Sequence, residues 1–419
     1  KSYSKRTIAY PYPVAISCHA TLGGGMEYPM ISFNGGRPET DGTYTENTKN
    51  GMIGVIIHEV GHNFFPMIIN SDERQWSWMD EGLNTFCQYL AEMEWDRNFP
   101  ARRGEPQDIV PYMRLDSKNQ VPIMANSENI MDFGNNAYAK PATALNILRE
   151  TVMGRELFDY AFKEYARRWA FKQPYPADFF RTLEDASGVD LDWFWRGWFY
   201  SIDPVDIAID TVRHGVFDAN AAAPAARTMP ARGLAKPEVN SFEDISKIRN
   251  RNDKSIVFLT DADTSLRDFY WRYDRGIEPY DTATKQPAMN FGAPEALTDA
   301  EKAKYADVNL YEITFLNKGG LVMPIIVEFT FADGTKETQK LSAQIWRKNE
   351  NKVTSVFLTN KKAVSIQLDP MRETADIDES NNKWPNVSAP SKFTMFKMKG
   401  FGRGQSIGLS PMQNAQNKK

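Results

Sequence analysis

The sequence predicts an α/β, mainly helical domain over residues 1–203, then a small antiparallel β-sandwich over 204–384 and a polar tail over 385–419. Three observations carry this reading. Between Met52 and Tyr200 apolar residues recur at the three-to-four-residue spacing of helices with one buried face. After Pro204 the texture changes. From Asn309 onward apolar and polar residues alternate in short runs bounded by turn residues, as strands do.

Thr7–Ile16 and Met30–Phe33 alternate like strands, with Gly23-Gly24-Gly25 between them, and Gly35 to Gly51 reads as a loop. A helix is predicted from Met52 to about Ile69. Ser77, with Asp80 three residues on, marks the start of the next helix, whose Leu83, Phe86, Cys87, Leu90 and Met93 form one apolar face. Pro100, Pro106, Pro111 and Pro122 rule out a long helix over 98–135. Helices follow at Tyr138–Val152 (ended by Gly154), Glu156–Trp169, Ala177–Ala186 and the aromatic-rich Asp190–Tyr200, which reads as core. Val205–Val212 begins the sandwich. A long insertion of about 215–304, with an Ala/Pro-rich surface excursion at Asn220–Lys236, precedes strands at Tyr311–Leu316, Ile325–Phe331, Glu337–Ile345, Val353–Leu358 and Ala363–Leu368.

The chain has 419 residues, 42% apolar and 25% charged, as globular domains do. A formal charge of −4 gives no electrostatic case for nucleic acid or an anionic membrane. No apolar run reaches the length of a membrane span; Met52–Ile69, the richest, is interrupted by His58, Glu59, His62 and Asn63. Cys18 and Cys87 cannot make a disulfide framework and read as buried thiols.

The strongest local signal is His58-Glu59-Val60-Gly61-His62. On a helix, positions i and i+4 share a face, so two imidazoles converge on one cation while Glu59 sits one residue round the turn. Glu81, nineteen residues after His62 and at the start of the following helix, returns a third ligand. Two imidazoles and a carboxylate suit one Zn2+ per chain, leaving a fourth position for a water whose pKa falls to about 7. His19 reads as a packed side chain and His214 as a turn residue. Asp376-Ile377-Asp378-Glu379 lacks the glycine and spacing of a calcium loop.

With these blocks in order, the chain resembles the aminopeptidase N family of gluzincin zinc metallopeptidases over about residues 8–203. Gly24-Gly25-Met26-Glu27-Tyr28 is similar to the family's Gly-Ala-Met-Glu-Asn motif, His58–His62 with Trp78–Gly82 to its zinc motif, and Tyr138-Ala139-Lys140 to its Tyr-x-Lys-Gly block. The resemblance implies a thermolysin-like catalytic domain. It implies Glu59 as general base, Tyr138 as donor to the oxyanion, and Glu27 as the group that holds a substrate's free α-ammonium, with Gly24 and Gly25 leaving room for its backbone. Tyr28, Gly25 and Pro141 depart from the family's Asn, Ala and Gly, and Gln88 stands where a carboxylate is common. The family begins with a saddle-shaped domain, whereas only twenty-six residues precede Glu27 here. The expectation is therefore a fragment, or a separate N-terminal portion or chain that completes the catalytic sheet. The expected activity is removal of N-terminal residues from peptides with a free N-terminus, in a periplasmic or extracellular setting. The alternatives are an endopeptidase of the same chemistry and a catalytically silent family member serving as a binding scaffold.

Overall fold

The structure is a computed structural model and describes residues 1–96, 99–216, 298–306 and 308–385. A short helix α1 (Ser2–Arg6) precedes three strands, β1 (Ile16–His19), β2 (Gly25–Tyr28) and β3 (Ile31–Asn34). They pair in the order β1-β3-β2, with β1 parallel and β2 antiparallel to β3, so β2 lies on an edge. The strand expected over Thr7–Ile16 is not formed; only Ile16 joins the sheet. Pro11 and Pro13 lack the amide donors that a ladder needs there.

Helix α2 (Glu46–Gly61) starts earlier than expected, capped by Thr45, whose hydroxyl accepts from the Thr48 amide. It also stops earlier, and the chain to Ile69 continues in turns. Pro66 explains the stop, because it removes a donor and drives Phe65 away from helical backbone. A π-helical turn, Trp78–Gly82, runs straight into α3 (Leu83–Trp95), which buries Leu83, Phe86, Cys87 and Leu90 as its periodicity predicts. Helix α4 (Pro106–Met113) tolerates Pro106 because it occupies the first turn, where no amide partner is needed. Residues Gly134–Val152 are one helical rod: a π turn (Gly134–Ala139), α5 (Lys140–Ile147) and a second π turn (Leu148–Val152). Then come α6 (Arg155–Trp169), α7 (Pro176–Ser187) and α8 (Asp192–Tyr200), close to their expected bounds.

Trp78 sits at the centre of the helical core. Its ring lies 4.8 Å from Phe199, 5.6 Å from Phe179 and 5.8 Å from Phe180, and Phe180 stacks on Trp195 at 4.6 Å. Burying each such ring contributes about 1.5–3 kcal/mol, so this cluster is a firm floor beneath the turn that carries Glu81.

The β part has one sheet of β4 (Ile207–Val216), β5 (Asn309–Asn317) and β8 (Lys352–Thr359), ordered β4-β5-β8. The second holds β6 (Ile325–Phe331), β7 (Lys336–Leu341), β9 (Ala363–Leu368) and β10 (Lys383–Trp384), ordered β10-β9-β6-β7. All pairings within them are antiparallel. The sheets meet through Phe329, whose ring lies 5.5 Å from Tyr311 and 5.7 Å from Phe357. Two expectations need correction. The strand expected to reach Ile345 ends at Leu341, and Ala343–Lys348 is a 3-10 turn started by the Ser342 side chain. His214, expected in a turn, lies within β4 and bonds Asn309 Oδ1 through Nε2 at 2.9 Å.

The acidic loop at Asp376 joins the helical and β parts. Asp376 accepts from the amides of Ile207 and Asp378 and from the Asn382 side chain, while Arg114 Nε donates to Ile377 O at 2.8 Å. Lys1–Val216 and the chain from Val308 onward form one compact unit, and Phe217–Asp307 a second. In the second unit the described residues form one helix, α9 (Asp299–Tyr305). The Asn220–Lys236 excursion, most of the insertion and nearly all of the tail lie outside the described residues. Among the described residues no helix is long and apolar enough to cross a membrane.

Candidate active site

The last turn of α2 carries His58 and Glu59, and His62 caps its end. The π turn before α3 brings Glu81 against them. His58 Nε2 lies 3.1 Å from His62 Nε2 and 3.1 Å from Glu81 Oε2, which is 3.3 Å from His62 Nε2. One donor atom from each of the three lies within 4.8 Å of the others, and Glu27, Glu59 and His62 form a second, overlapping set at the same limit. The five side chains thus gather where α2, the π turn and the β2 edge meet.

The far sides of the imidazoles fix which nitrogen faces inward. Gln88 Nε2 donates to Glu92 Oε1 at 2.8 Å and to Gly54 O at 3.2 Å, so its amide oxygen is the atom that meets His58 Nδ1, at 2.8 Å. An amide oxygen only accepts, so His58 carries its proton on Nδ1. His62 Nδ1 likewise faces acceptors, Phe65 O at 2.8 Å and Asp80 Oδ1 at 3.0 Å. Both Nε2 atoms then direct lone pairs at one point, together with a carboxylate oxygen. Such an arrangement repels itself without positive charge, and it fits a small cation.

The surrounding carboxylates favour positive charge at that point. Burial opposes charge on Glu81, but the two histidines beside it outweigh burial and hold its carboxyl far below the usual range. Burial likewise opposes charge on His62, yet Asp80 and Glu81 hold its pKa up. Glu59 is pushed up to about 7, first by burial and then by the charges of Glu27 and Glu81, with His62 opposing. Its Oε2 is buried without a hydrogen-bond partner.

Tyr138, on the π turn before α5, donates to Glu81 Oε1 at 2.6 Å, and its ring stacks 5.7 Å from that of His58. Burial and the nearby Glu81 charge push the phenol far above its ordinary pKa, so it stays a proton donor. A Cβ on Gly82 would lie 2.6 Å from Pro141 Cγ and 3.0 Å from Ala137 O, so the absent side chain lets the Glu81 turn press against the Tyr138 turn. Gly82→Ala is expected to lower stability by about 1–2 kcal/mol, measured by urea denaturation; an unchanged midpoint would count against this contact.

Glu27 is half-buried on β2, opposite Ser32 of β3. Asn63 holds this hairpin to the end of α2, accepting from the Met30 amide at 2.8 Å and donating to Val60 O. Gly25 backs directly onto the Glu59 carboxylate, where a Cβ would collide. Gly24 faces open space. Tyr28 points outward, edge-on to Phe33.

Several contributors escaped sequence reasoning. Asp80 was expected as a capping partner of Ser77, but it is buried against His62, and the Ser77 hydroxyl bonds back to Glu73 O. Asn84 donates to His58 O and meets the Tyr3 hydroxyl at 2.8 Å, tying α1, α2 and α3 together. It lies three residues after Glu81 and four before Gln88, which the sequence does single out, so the polar stripe at helical spacing could have signalled a face turned toward α2. Arg103, whose guanidinium lies 4.5 Å from the Tyr138 ring centre, had no such signal.

Residues 5–198 match the peptidase family M1 domain. Among curated proteins the chain is 26% identical over 183 residues to glutamyl aminopeptidase of Sus scrofa, covering 40% of this chain and 19% of that protein. It is 26% identical over 193 residues to aminopeptidase N of Streptomyces lividans, covering 43% and 22%. The chain therefore spans about a fifth of the length of these relatives. Among solved structures, Legionella pneumophila aminopeptidase A in complex with aspartic acid aligns with 90% of this chain and 33% of its own, at a TM-score of 0.50 and 12% identity, a likeness of fold alone. The similarity to peptidase family M1 thus falls on residues 5–198, a little under half of the chain, the same segment that carries the site.

Proposed function

We propose that this chain is a zinc-dependent aminopeptidase, with His58, His62 and Glu81 holding one metal ion. The observation that carries the reading is the position of Glu27, whose carboxylate shares a cluster with Glu59 and His62 beside the inward-facing imidazoles. A zinc ion bound there supplies Lewis acidity to the scissile carbonyl and to the attacking water. The remaining work falls to the protein. Glu27 accepts the substrate's α-ammonium, which fixes the cut one residue from the N-terminus. Glu59 takes the water's proton on a carboxylate oxygen and returns it to the leaving amine. Tyr138 donates its hydroxyl hydrogen to the developing oxyanion, a task that requires it to leave Glu81 Oε1 and for which its raised pKa suits it. Gly24 and Gly25 leave the β2 edge clear for an extended substrate backbone.

The test is a paired hydrolysis assay on one peptide, free or acetylated at its N-terminus, with and without a chelator. Cleavage of the free peptide at least about tenfold faster, abolished by chelation, is the expected result, since a capped substrate covers the Glu27 carboxylate without giving it a counter-charge. Equal cleavage of both would replace this reading with an endopeptidase of the same chemistry. No cleavage by the zinc-loaded chain would favour a binding scaffold.

A further inference from the structure

A cavity of about 620 Å³ opens from the candidate active site. His58, Glu59 and Tyr138 line its inner end, with Gly24 and Gly25 on one side. Its far walls are the α2 residues Asn50 and Gly54, Gln88 and Glu92 of α3, and the loop residues Arg102 and Arg103. Glu27 is not among the lining residues. That asymmetry sets a direction, given the aminopeptidase reading on which this inference rests. A substrate anchored at Glu27 and laid antiparallel along β2 runs back past Gly25 and Gly24. The residues after the scissile bond therefore enter this cavity.

The two arginines in the wall differ. Arg102 is engaged, its Nη2 donating to Asn47 Oδ1 at 2.8 Å. The Arg103 guanidinium lies over the Tyr138 ring and makes no hydrogen bond or ion pair among the described residues. Guanidinium remains charged at any physiological pH and presents a planar fork matched to a carboxylate. Burial works against that charge, so it gains from a counter-ion. Glu92 is a poor one: its Oε1 is taken by Gln88, and burial pushes its carboxyl up to about 7. Distance also fits. Tyr138 touches Glu81 with its hydroxyl and Arg103 with its ring, so Arg103 stands one side chain from the reacting centre. An extended residue spans at most about 3.6 Å, which places Arg103 within reach of the first or second residue after the cut.

We propose that Arg103 binds a carboxylate carried by one of the two residues after the scissile bond, either the free C-terminus of a di- or tripeptide or an acidic side chain. The site then reads both ends of a short substrate, an ammonium at Glu27 and a carboxylate at Arg103.

The test uses the zinc-loaded full chain with Ala-Ala and Ala-Ala-Ala, each with a free or an amidated C-terminus, and with Ala-Glu-amide against Ala-Gln-amide. The expected result is a kcat/KM at least about tenfold higher for the carboxylate member of one set, as a charge-assisted bidentate pair implies. The first set assigns the preference to the C-terminus, the second to a side chain. Arg103→Met is expected to bring that ratio close to one, and Arg103→Lys to restore part of it, retaining the charge without the fork. Calorimetric titration of the same peptides into the Glu59→Gln chain reads the preference without turnover. Equal rates and affinities within both sets, or a preference unchanged in Arg103→Met, would overturn the role of Arg103 and leave the aminopeptidase reading standing. Absence of hydrolysis by the chain with Glu59 intact would remove that reading, and the titration would still judge Arg103.

Discussion

Replacing Glu59 with Gln is expected to lower peptide turnover by about 10³-fold, the usual worth of a positioned general base, and to leave zinc bound at one per chain. The substitution keeps the size of the side chain and its place against Gly25, and removes only its ability to take a proton. It also removes a charge that burial and the neighbours Glu27 and Glu81 already disfavour, so the fold is not expected to weaken. The informative measurement pairs single-turnover kinetics with metal analysis of the purified variant. If zinc stays and turnover remains within about tenfold of the parent, another group moves the proton and the assignment of Glu59 fails. If zinc is lost, Glu59 is a ligand rather than a base.

Lys140→Met is expected to stabilise the protein at neutral pH by about 2 kcal/mol and to flatten its alkaline stability profile. Lys140 has no exposed surface, and among the described residues its Nζ reaches only Ser201 O, at a long 3.4 Å. Burial pushes the ammonium down to about 8, with Asp203 opposing weakly. Relative to an ordinary lysine, a drop of that size corresponds to about 3 kcal/mol of destabilisation while the group is charged; losing the long hydrogen bond offsets about 1 kcal/mol of the gain. The sign is set by proton counts. Between about 8 and the unfolded value near 10.4 the unfolded chain binds more protons, so native stability rises with pH across that window. Below about 8 the full penalty applies. Methionine, of similar length and uncharged, removes it. Urea denaturation of both proteins from pH 6 to 10 should show the gap closing as pH rises; a gap independent of pH would mean that packing, not charge, separates them.

What the sequence could reveal followed from how local each signal is. The three inward donors were legible because a helix converts a four-residue spacing into a shared face, and because Glu81 opens the next helix. Glu27 and Tyr138 were legible through the resemblance alone, since nothing in their own spacing points to a metal. The alternating runs from Asn309 found β5 to β9 because successive side chains of a strand point to opposite faces, one of them buried. The failures came where competing rules act at a distance. Thr7–Ile16 alternates, but its prolines rule out a ladder. Ser77 and Asp80 have the spacing of a cap, yet the pull of a buried imidazole on Asp80 won. Arg103 lies in a proline-broken stretch without periodicity, and only the folded chain lays it on Tyr138.

Two of the three π turns, those at Trp78–Gly82 and Gly134–Ala139, have a consequence of their own. Each fits an additional residue into a helix that otherwise advances about 100° per residue, and each lies where a site residue must leave its helix's regular face: Glu81 in Trp78–Gly82, Tyr138 in Gly134–Ala139. The helices behind them keep their own phase, with apolar faces set by the core. The aim of Glu81 and Tyr138 is therefore stored as a count of residues rather than as a choice of side chains. Deleting one residue from either turn would relax it to an ordinary helix, leave the core stripe intact, and swing the carboxylate or the phenol away from the histidines. In this fold length is a coding variable: insertions and deletions that a structural ledger would score as mild, even favourable, fall on the chemistry, and a search for silenced members should compare the spacing of these segments before their letters.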